Sequence, residues 1–416
     1  MSDIESLGSL KDVYVTQTNG KRALAVSSGG EPLPVIVESG GDSPAKTAFG
    51  EQLVAEFRVH AGWTFAYNIN PGTIRQTVLN GGVVSHSGNM AVCSTGADPN
   101  GVAFIRTDAS LSYTPGIGGL VRFTTIFKTP KENSLQLHGI GDFNDGLFFG
   151  YNGLEFGILR RAKGVDTWIK QEDWSEDVKP LLDQTKLNVY QIQFQWLGAG
   201  MQYFSMEDSD SGEIRIVNKI KYSNLYEETS LDIPSLPISM GVANFGNTDP
   251  VEIMSPSAVA GSEGEAFPEA LTTLEGYDFP LTPMLLGDNY LFSIKNPGTY
   301  AGKDNKLYLE PRLLTLAVDG GKAITFRVLF NAVLTGPSFV DISTPTTPAQ
   351  ADISATAFSG GQEIMSLAIA KDDTAIIDLA SVLGAKQWAD TTLTIIADAD
   401  ADGSDVSVGY TFRSRI

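Results

Sequence analysis

A strict alternation of large apolar and polar side chains marks the stretch Val189–Leu197. Four large residues occupy one phase of the repeat: Tyr190, Ile192, Phe194 and Trp196. Three glutamines occupy the other phase: Gln191, Gln193 and Gln195. Period two is the repeat of a β-strand, whose successive side chains point to opposite faces of a sheet. The pattern therefore predicts a strand with one face in a hydrophobic core and one polar face.

The same period recurs in short runs along most of the chain. Turn signals such as Asn152-Gly153 and Ser211-Gly212 separate these runs. No long amphipathic helix interrupts them. Many short strands between glycine- and proline-marked turns predict an all-β protein of the sandwich or barrel class.

Shifts in composition divide the chain into four parts. Residues 1–48 are rich in glycine, serine and proline and bury too little to fold alone, so we predict an extended N-terminal arm. Residues 49–254 carry the strand pattern of one large β domain. Residues 255–285, rich in proline, serine, alanine and acids, predict a surface linker. Residues 286–416 predict a second, smaller β domain.

The charge and cysteine content exclude several classes of protein. The 49 acidic and 29 basic residues give a net charge of −20, which repels phosphate backbones and excludes broad nucleic-acid binding. Cys93 is the single cysteine, so no intramolecular disulfide can form. No apolar run reaches the roughly 18 residues of a membrane span. The first ten residues lack the apolar region of a signal peptide, so we expect synthesis in a cytoplasm without signal-directed export.

The sequence carries no motif for catalysis or cofactor binding. Walker, dinucleotide-binding, zinc-protease and nucleophile-elbow patterns are absent, and the three histidines lack metal-ligand spacing. Acidic residues from Glu172 to Asp177 surround Trp174 and could supply the paired carboxylates of glycoside hydrolysis. Their spacing is irregular, which favours a solvated acidic loop. We therefore predict no catalytic residue, no cofactor, and a protein that is not an enzyme.

One stretch begins like a calcium-binding loop. Asp398, Asp400 and Asp402 precede Gly403, but the twelfth position is Gly409, where such a loop requires a bidentate glutamate. A hairpin turn between two strands explains the stretch better. The three aspartates remain the weak metal candidates of the sequence.

Tryptophans are the candidate residues for sugar stacking. Trp168 and Trp174 flank polar residues in a predicted loop and could present their rings to a glycan. Partly buried packing tryptophans are the alternative. Trp196 lies on the apolar phase of its strand, and we expect it in the core.

A family resemblance covers residues 50–250 and 286–416. The first part is carried by GLVRFTTIFKTPKENSLQLHGIGDFNDGLFFGYNGLEFGILRR and NVYQIQFQWLGAGMQYFSME, which resemble the jelly-roll module of concanavalin-like domains. Their texture is similar to that of virion proteins of tailed bacteriophages, which include fibres, appendages and capsid decorations. The part from ITFRVLFNAVLTGPSFVDI to DTTLTIIADADADGSDVSVGYTF resembles small β-sandwiches of such proteins. The resemblance implies a concanavalin-like jelly roll followed by a smaller β-sandwich.

The resemblance also implies a function. We expect a structural component of a bacteriophage virion that acts through protein–protein assembly, made in the host cytoplasm and located in the virion. Its partners would be other virion proteins and further copies of itself, as a trimer by analogy with phage fibres. The alternative is a carbohydrate-binding module that recognises a host surface glycan. A glycan-cleaving enzyme on the same scaffold is the third reading.

The N-terminal arm is the predicted attachment element. Its apolar anchors would be Val13, Val15, Val35 and Val37. A short extended segment that cannot form its own core can add to a sheet edge or pack on a neighbouring chain. We therefore expect the arm to dock on another subunit or on the particle.

Overall fold

The computed structural model describes residues 13–16, 22–26, 56–176, 182–264, 272–380 and 386–415. The chain forms two compact units, Met1–Glu56 and Phe57–Ile416. In the first unit, β1 (Val13–Thr16) and β2 (Arg22–Val26) pair antiparallel. Val13 and Val15 lie in β1, whereas Val35 and Val37 lie outside the described residues. The role of the arm stays a prediction.

The second unit is built from antiparallel strands, which confirms the all-β class. A one-turn 3₁₀ helix, Gln171–Asp173, lies among the strands of its first sandwich. These strands are β3 (Phe57–Thr64), β4 (Ile74–Leu79), β5 (Val83–Ser87), β6 (Met90–Ser94), β7 (Val102–Leu111), β8 (Gly118–Phe127), β9 (Ser134–Gly141), β10 (Gly146–Asn152), β11 (Glu155–Ala162), β12 (Val165–Lys170), β13 (Asn188–Phe194), β14 (Gln202–Glu207), β15 (Ile214–Ile220), β16 (Leu236–Asn244), β17 (Glu252–Ser255) and β18 (Ser257–Glu263).

A second sandwich follows in the same unit. Its strands are β19 (Thr272–Pro283), β20 (Gly287–Asn296), β21 (Thr299–Tyr300), β22 (Lys303–Asp304), β23 (Leu309–Asp319), β24 (Ile324–Phe330), β25 (Val333–Thr335), β26 (Val340–Asp341), β27 (Gln350–Asp352), β28 (Ala357–Ser359), β29 (Gln362–Ile369), β30 (Asp373–Asp378), β31 (Thr391–Ala399) and β32 (Asp405–Arg415).

Two sheets pack face to face in the first sandwich, as in a jelly roll. Sheet A has the strand order β12-β11-β10-β9-β16-β7-β4. Sheet B has the order β15-β14-β13-β8-β17-β6-β5, and β18 pairs with both β8 and β3. One hydrophobic core joins them, with Phe149 and Ile158 from sheet A against Phe123 and Tyr190 from sheet B. The alternation of each strand places these side chains inward.

The second sandwich repeats the arrangement on a smaller scale. One sheet has the strand order β19-β32-β23-β30, and the other has the order β26-β27-β20-β31-β24-β29. Phe292 and Phe326 from the second of these sheets share a core with Tyr410 and Phe412 from the first. This core is separate from that of the first sandwich among the described residues.

Strand β13 has the two faces that its sequence predicts. Tyr190, Ile192 and Phe194 are 0 %, 0 % and 2 % exposed and lie in the core. The strand ends at Phe194, three residues before the predicted end, so Trp196 lies beyond it and is half-buried. On the other face, Gln191 is only 5 % exposed, and hydrogen bonds join Gln191 to Arg122 of β8 and Gln193 to Glu263 of β18.

The predicted linker over 255–285 is wrong for two stretches. Residues Ser257–Glu263 form β18, whose Ala258 and Ala260 are buried in the first core. Residues Thr272–Pro283 form β19 at the edge of the second sandwich. The small residues of Ser257–Glu263 resemble a linker in composition. They fit a strand instead, because β18 is hydrogen-bonded on both sides and packs on the core. The division into domains stays a prediction.

Candidate functional site

Trp174 cannot serve as a sugar platform, which corrects one prediction. It is 5 % exposed and belongs to the first core, with its ring 6.0 Å from that of Phe149 in an edge-on contact. It directly follows the 3₁₀ turn that contains Glu172 and Asp173. Glu172 and Asp173 therefore lie in a turn beside a buried ring, and Asp177 of the same cluster lies outside the described residues.

Trp168 is half-buried on the outer face of sheet A. The register sets Trp168 opposite Leu159, and Leu159 opposite Phe148. Trp168 packs on the small apolar cluster that these residues form with Leu137. It remains a candidate contact residue at the β12 edge of the sheet.

The three candidate calcium ligands do not form a common site. Asp398 lies within β31 and pairs with Asp288 and Thr325 of the neighbouring strands. Asp400 and Asp402 follow in the turn, where Asp402 accepts a hydrogen bond of 2.6 Å from the Leu286 N–H. In the described part of the chain, no group of three His, Cys, Asp or Glu side chains could hold a metal ion.

A cleft of about 370 Å³ opens between the two sandwiches. The β21–β22 hairpin and the segment after it form one wall, and loops of the first sandwich form the other. Four aromatic residues line it: Tyr113, Trp196, Tyr300 and Tyr308. Four polar residues line it on the hairpin side: Lys303, Asp304, Asn305 and Lys306. We call this space the interdomain cleft.

Hydrogen bonds fix the aromatic rings of the first wall. The Tyr113 and Trp196 rings meet edge to face, with centroids 5.5 Å apart. The Tyr113 hydroxyl accepts the Leu197 N–H at 3.1 Å, and the Trp196 indole N–H donates to the Leu231 carbonyl at 3.2 Å. Because their polar groups have partners inside the protein, the ring surfaces are held in place at the cleft.

The opposite wall is held in a similar way. The Tyr300 hydroxyl donates to the Pro345 carbonyl. The Lys386 ammonium lies 4.1 Å from the centroid of the Tyr308 ring, a cation–π contact. The Asn305 amide is 5 % exposed and donates to Asn296 Oδ1 and to the Pro297 carbonyl, each at 2.7 Å. These bonds order the segment that carries the polar lining of the interdomain cleft.

Ion pairs join the two walls. Lys306 Nζ lies 2.5 Å from Asp142 Oδ2, and these side chains are 10 % and 3 % exposed. Lys303 Nζ lies 2.8 Å from Asp232 in a more exposed pair. Burial raises the pKa of Asp142, but Lys306 and the N–H groups of Asn144 and Asp145 together outweigh burial, so this pKa lies below its usual value. Asp142 is therefore ionised at neutral pH, and the buried pair connects one sandwich to the other.

Sequence reasoning missed the interdomain cleft because its walls are far apart along the chain. The alternation of its strand predicts Trp196 in the core, whereas the structure places it at the interdomain cleft. The extended conformation of the strand ends at the next residues, since Leu197 and Gly198 have φ values of 38° and 82°. The turn at Gly198–Gly200 indicates where the repeat ends but not what Trp196 faces.

Similarity to known proteins is found among solved structures alone. No family model matches the sequence, and no curated protein matches it. Among solved structures, a glycosyl hydrolase family protein from Mycobacterium fortuitum is similar at 11 % identity and a TM-score of 0.35, over 49 % of this chain and 99 % of its own. The Crh5 transglycosylase is similar at 12 % identity and a TM-score of 0.35, over 50 % of this chain and 85 % of its own. The carbohydrate recognition domain of Emp46p is similar at 8 % identity and a TM-score of 0.34, over 51 % of this chain and 100 % of its own.

The two packed sheets of the first sandwich agree with the predicted jelly roll. The prediction that the chain is not an enzyme is contradicted, since several of the similar structures are named glycosyl hydrolases or transglycosylases. The neighbours reported above are not phage virion proteins. A place in a phage particle stays a prediction. In the described residues, no helix is long and apolar enough to cross a membrane.

Proposed function

We propose that the protein binds a glycan in the interdomain cleft. The observation that carries this proposal is the convergence of four aromatic residues with lysine, aspartate and asparagine side chains around about 370 Å³. This volume and a position between two sandwiches are typical of small-molecule sites. A glycan suits this lining because each sugar ring has an apolar C–H face and a rim of hydroxyl groups. Aromatic surfaces cover the first, and polar side chains bond the second.

The charges of the interdomain cleft support an uncharged sugar ring at its centre. Lys303 and Lys306 already have Asp232 and Asp142 as partners. Asp304 lies 3.7 Å from Lys306 and is half-exposed, which leaves carboxylate oxygens available to accept hydrogen bonds from hydroxyl groups. This proposal corresponds to the alternative that the family resemblance implies, a carbohydrate-binding module. A place in a virion, with other virion proteins or a trimer as partners, stays a prediction.

A glycan array followed by calorimetric titration tests the proposal. We expect the full chain to bind at least one oligosaccharide, and Tyr300→Ala to weaken that binding about fivefold, since an aromatic contact contributes about 1 kcal/mol. Tyr67→Ala is the control, because Tyr67 is 95 % exposed and does not line the interdomain cleft.

The same incubations are analysed for cleavage products by chromatography, so that binding and turnover are measured separately. Absence of binding across the array, or equal binding by wild type and Tyr300→Ala, would show that the cleft is not a glycan site.

A further inference from the structure

Arg106 is a half-buried arginine on the outer face of sheet A. It lies in β7, and the register sets it opposite Arg75 of β4 on one side and Ser239 of β16 on the other. Two guanidinium groups are therefore direct cross-strand neighbours. Like charges at such positions destabilise a sheet unless anions compensate them.

The two arginines differ in their partners. Arg75 is 3.1 Å from Asp108 and 3.2 Å from Asp390, so both a carboxylate of its own sandwich and one of the second sandwich neutralise it. Arg106 has no carboxylate or side-chain hydrogen-bond partner among the described residues. A guanidinium has five N–H donors and no acceptor, and its partial burial without an anion is costly. The chain has a net charge of −20, so carboxylates outnumber cations, yet none among the described residues pairs with Arg106.

Arg106 faces a small crevice that adjoins the interdomain cleft. Three cations, Arg75, Arg106 and Lys306, and one carboxylate, Asp108, line this crevice of about 40 Å³. Asp108 is already paired with Arg75, and Trp388 lines the crevice from the second sandwich. Its volume exceeds the roughly 10–15 Å³ that one water needs, so a small charged group fits. Asn305 and Lys306 line both spaces. A ligand in the interdomain cleft could therefore extend a substituent to Arg106.

We propose that the crevice binds an oxyanion substituent, a carboxylate or a sulfate ester, of the glycan held in the interdomain cleft. This inference rests on the proposed function and gives its ligand class, an acidic glycan. The planar fork of Arg106 donates two parallel hydrogen bonds to two oxygens of such a group, which a lysine cannot do. The anion also offsets the repulsion between the two cross-strand arginines.

Matched pairs of glycans test the proposal by titration calorimetry. Oligogalacturonate and its methyl ester form the carboxylate pair, and sulfated and desulfated carrageenan oligosaccharides form the sulfate pair. We expect the wild type to bind the acidic member of at least one pair about tenfold more tightly than its neutral partner, as charge-assisted hydrogen bonds predict. Arg106→Gln should abolish this preference and leave the affinity for the neutral partner unchanged. Arg312→Gln is the control, because Arg312 is a partly exposed arginine paired with Glu310 and does not line the crevice.

The outcomes separate the two proposals. Binding of neutral glycans with no acidic preference overturns the Arg106 site and leaves glycan binding in place. An equal loss of both affinities in Arg106→Gln, with an unchanged melting temperature, also overturns it, because that result indicates a structural role. Absence of binding to any member of either pair and to the array overturns both proposals.

Discussion

His138 is the residue where burial has its clearest electrostatic consequence. Its ring is 0 % exposed and lies among aromatic rings, 4.0 Å from Phe123 and 5.6 Å from Trp63 between centroids. Neither ring nitrogen has a hydrogen-bond partner among the described residues. Burial lowers the pKa of His138 well below its usual value. The imidazole is therefore neutral in the folded protein and packs as an apolar ring.

The stability of the fold should depend on pH through His138. Below an unfolded pKa of about 6.5, the unfolded chain binds a proton that the folded chain does not, so stability falls as pH falls. We expect this group to remove about 2 kcal/mol from the free energy of unfolding between pH 7 and pH 5. Urea unfolding at both pH values measures it.

His138→Phe should remove this part of the pH dependence. The change in unfolding free energy between pH 7 and pH 5 is taken within each variant, so the effect of the substitution on packing cancels. His86→Gln serves as the control that removes a different histidine. An identical loss of stability between pH 7 and pH 5 in wild type and His138→Phe would rule out this account.

At the scale of elements, strand β13 shows how one sequence pattern serves two surfaces. On its core face, the Phe194 ring packs so close to Gly119 of β8 that a Cβ there would lie 2.8 Å from it. On its outer face, Arg122 donates to Gln191, Gln191 to Gln193, and Gln193 to Glu263. The polar face is thus a hydrogen-bonded ladder across three strands. Each face requires the alternation for a different physical reason.

Two substitutions in β13 separate the contributions of its faces. Phe194→Ala should cost about 3–5 kcal/mol of unfolding free energy, since it leaves a cavity in the core. Gln193→Ala should cost about 1 kcal/mol, the value of hydrogen bonds in a partly exposed position. Urea denaturation of both variants checks the difference. Equal losses would mean that the outer face contributes as much as the core.

At the scale of the whole molecule, polar contacts join the two sandwiches at the interdomain cleft. Asp142 with Lys306, Asp232 with Lys303, and Asp390 with Arg75 each pair a residue of one sandwich with a residue of the other. Only the first pair is largely buried. Loss of one partner from a buried pair leaves an uncompensated charge, whereas an exposed partner regains water.

Two lysine substitutions compare the buried with the exposed pair. Lys306→Met should lower the free energy of unfolding by about 3–5 kcal/mol, because the Asp142 carboxylate stays buried without its cation. Lys303→Met should lower it by less than about 1 kcal/mol. Denaturation followed by tryptophan fluorescence measures both, since Trp196 and Trp388 lie near the junction. A small and equal effect of the two changes would show that the buried pair does not hold the sandwiches together.

The sequence by itself determined the all-β class and the core phase of Tyr190, Ile192 and Phe194. These features depend on the alternation of neighbouring residues, which is a local property of an extended chain. The turn residues between strands are equally local. They did not reveal β18 and β19, which were predicted as a linker.

Only the tertiary structure decided where the candidate site lies. It placed Trp174 in the core and Trp196 at the interdomain cleft, although both are tryptophans near polar residues. It also brought Arg106 next to Arg75 and set Lys306 of the second sandwich beside Asp142 of the first. Such pairs depend on strand register and on the packing of one sandwich against the other. No pattern among neighbouring residues encodes them, because their members are separated by tens to hundreds of residues.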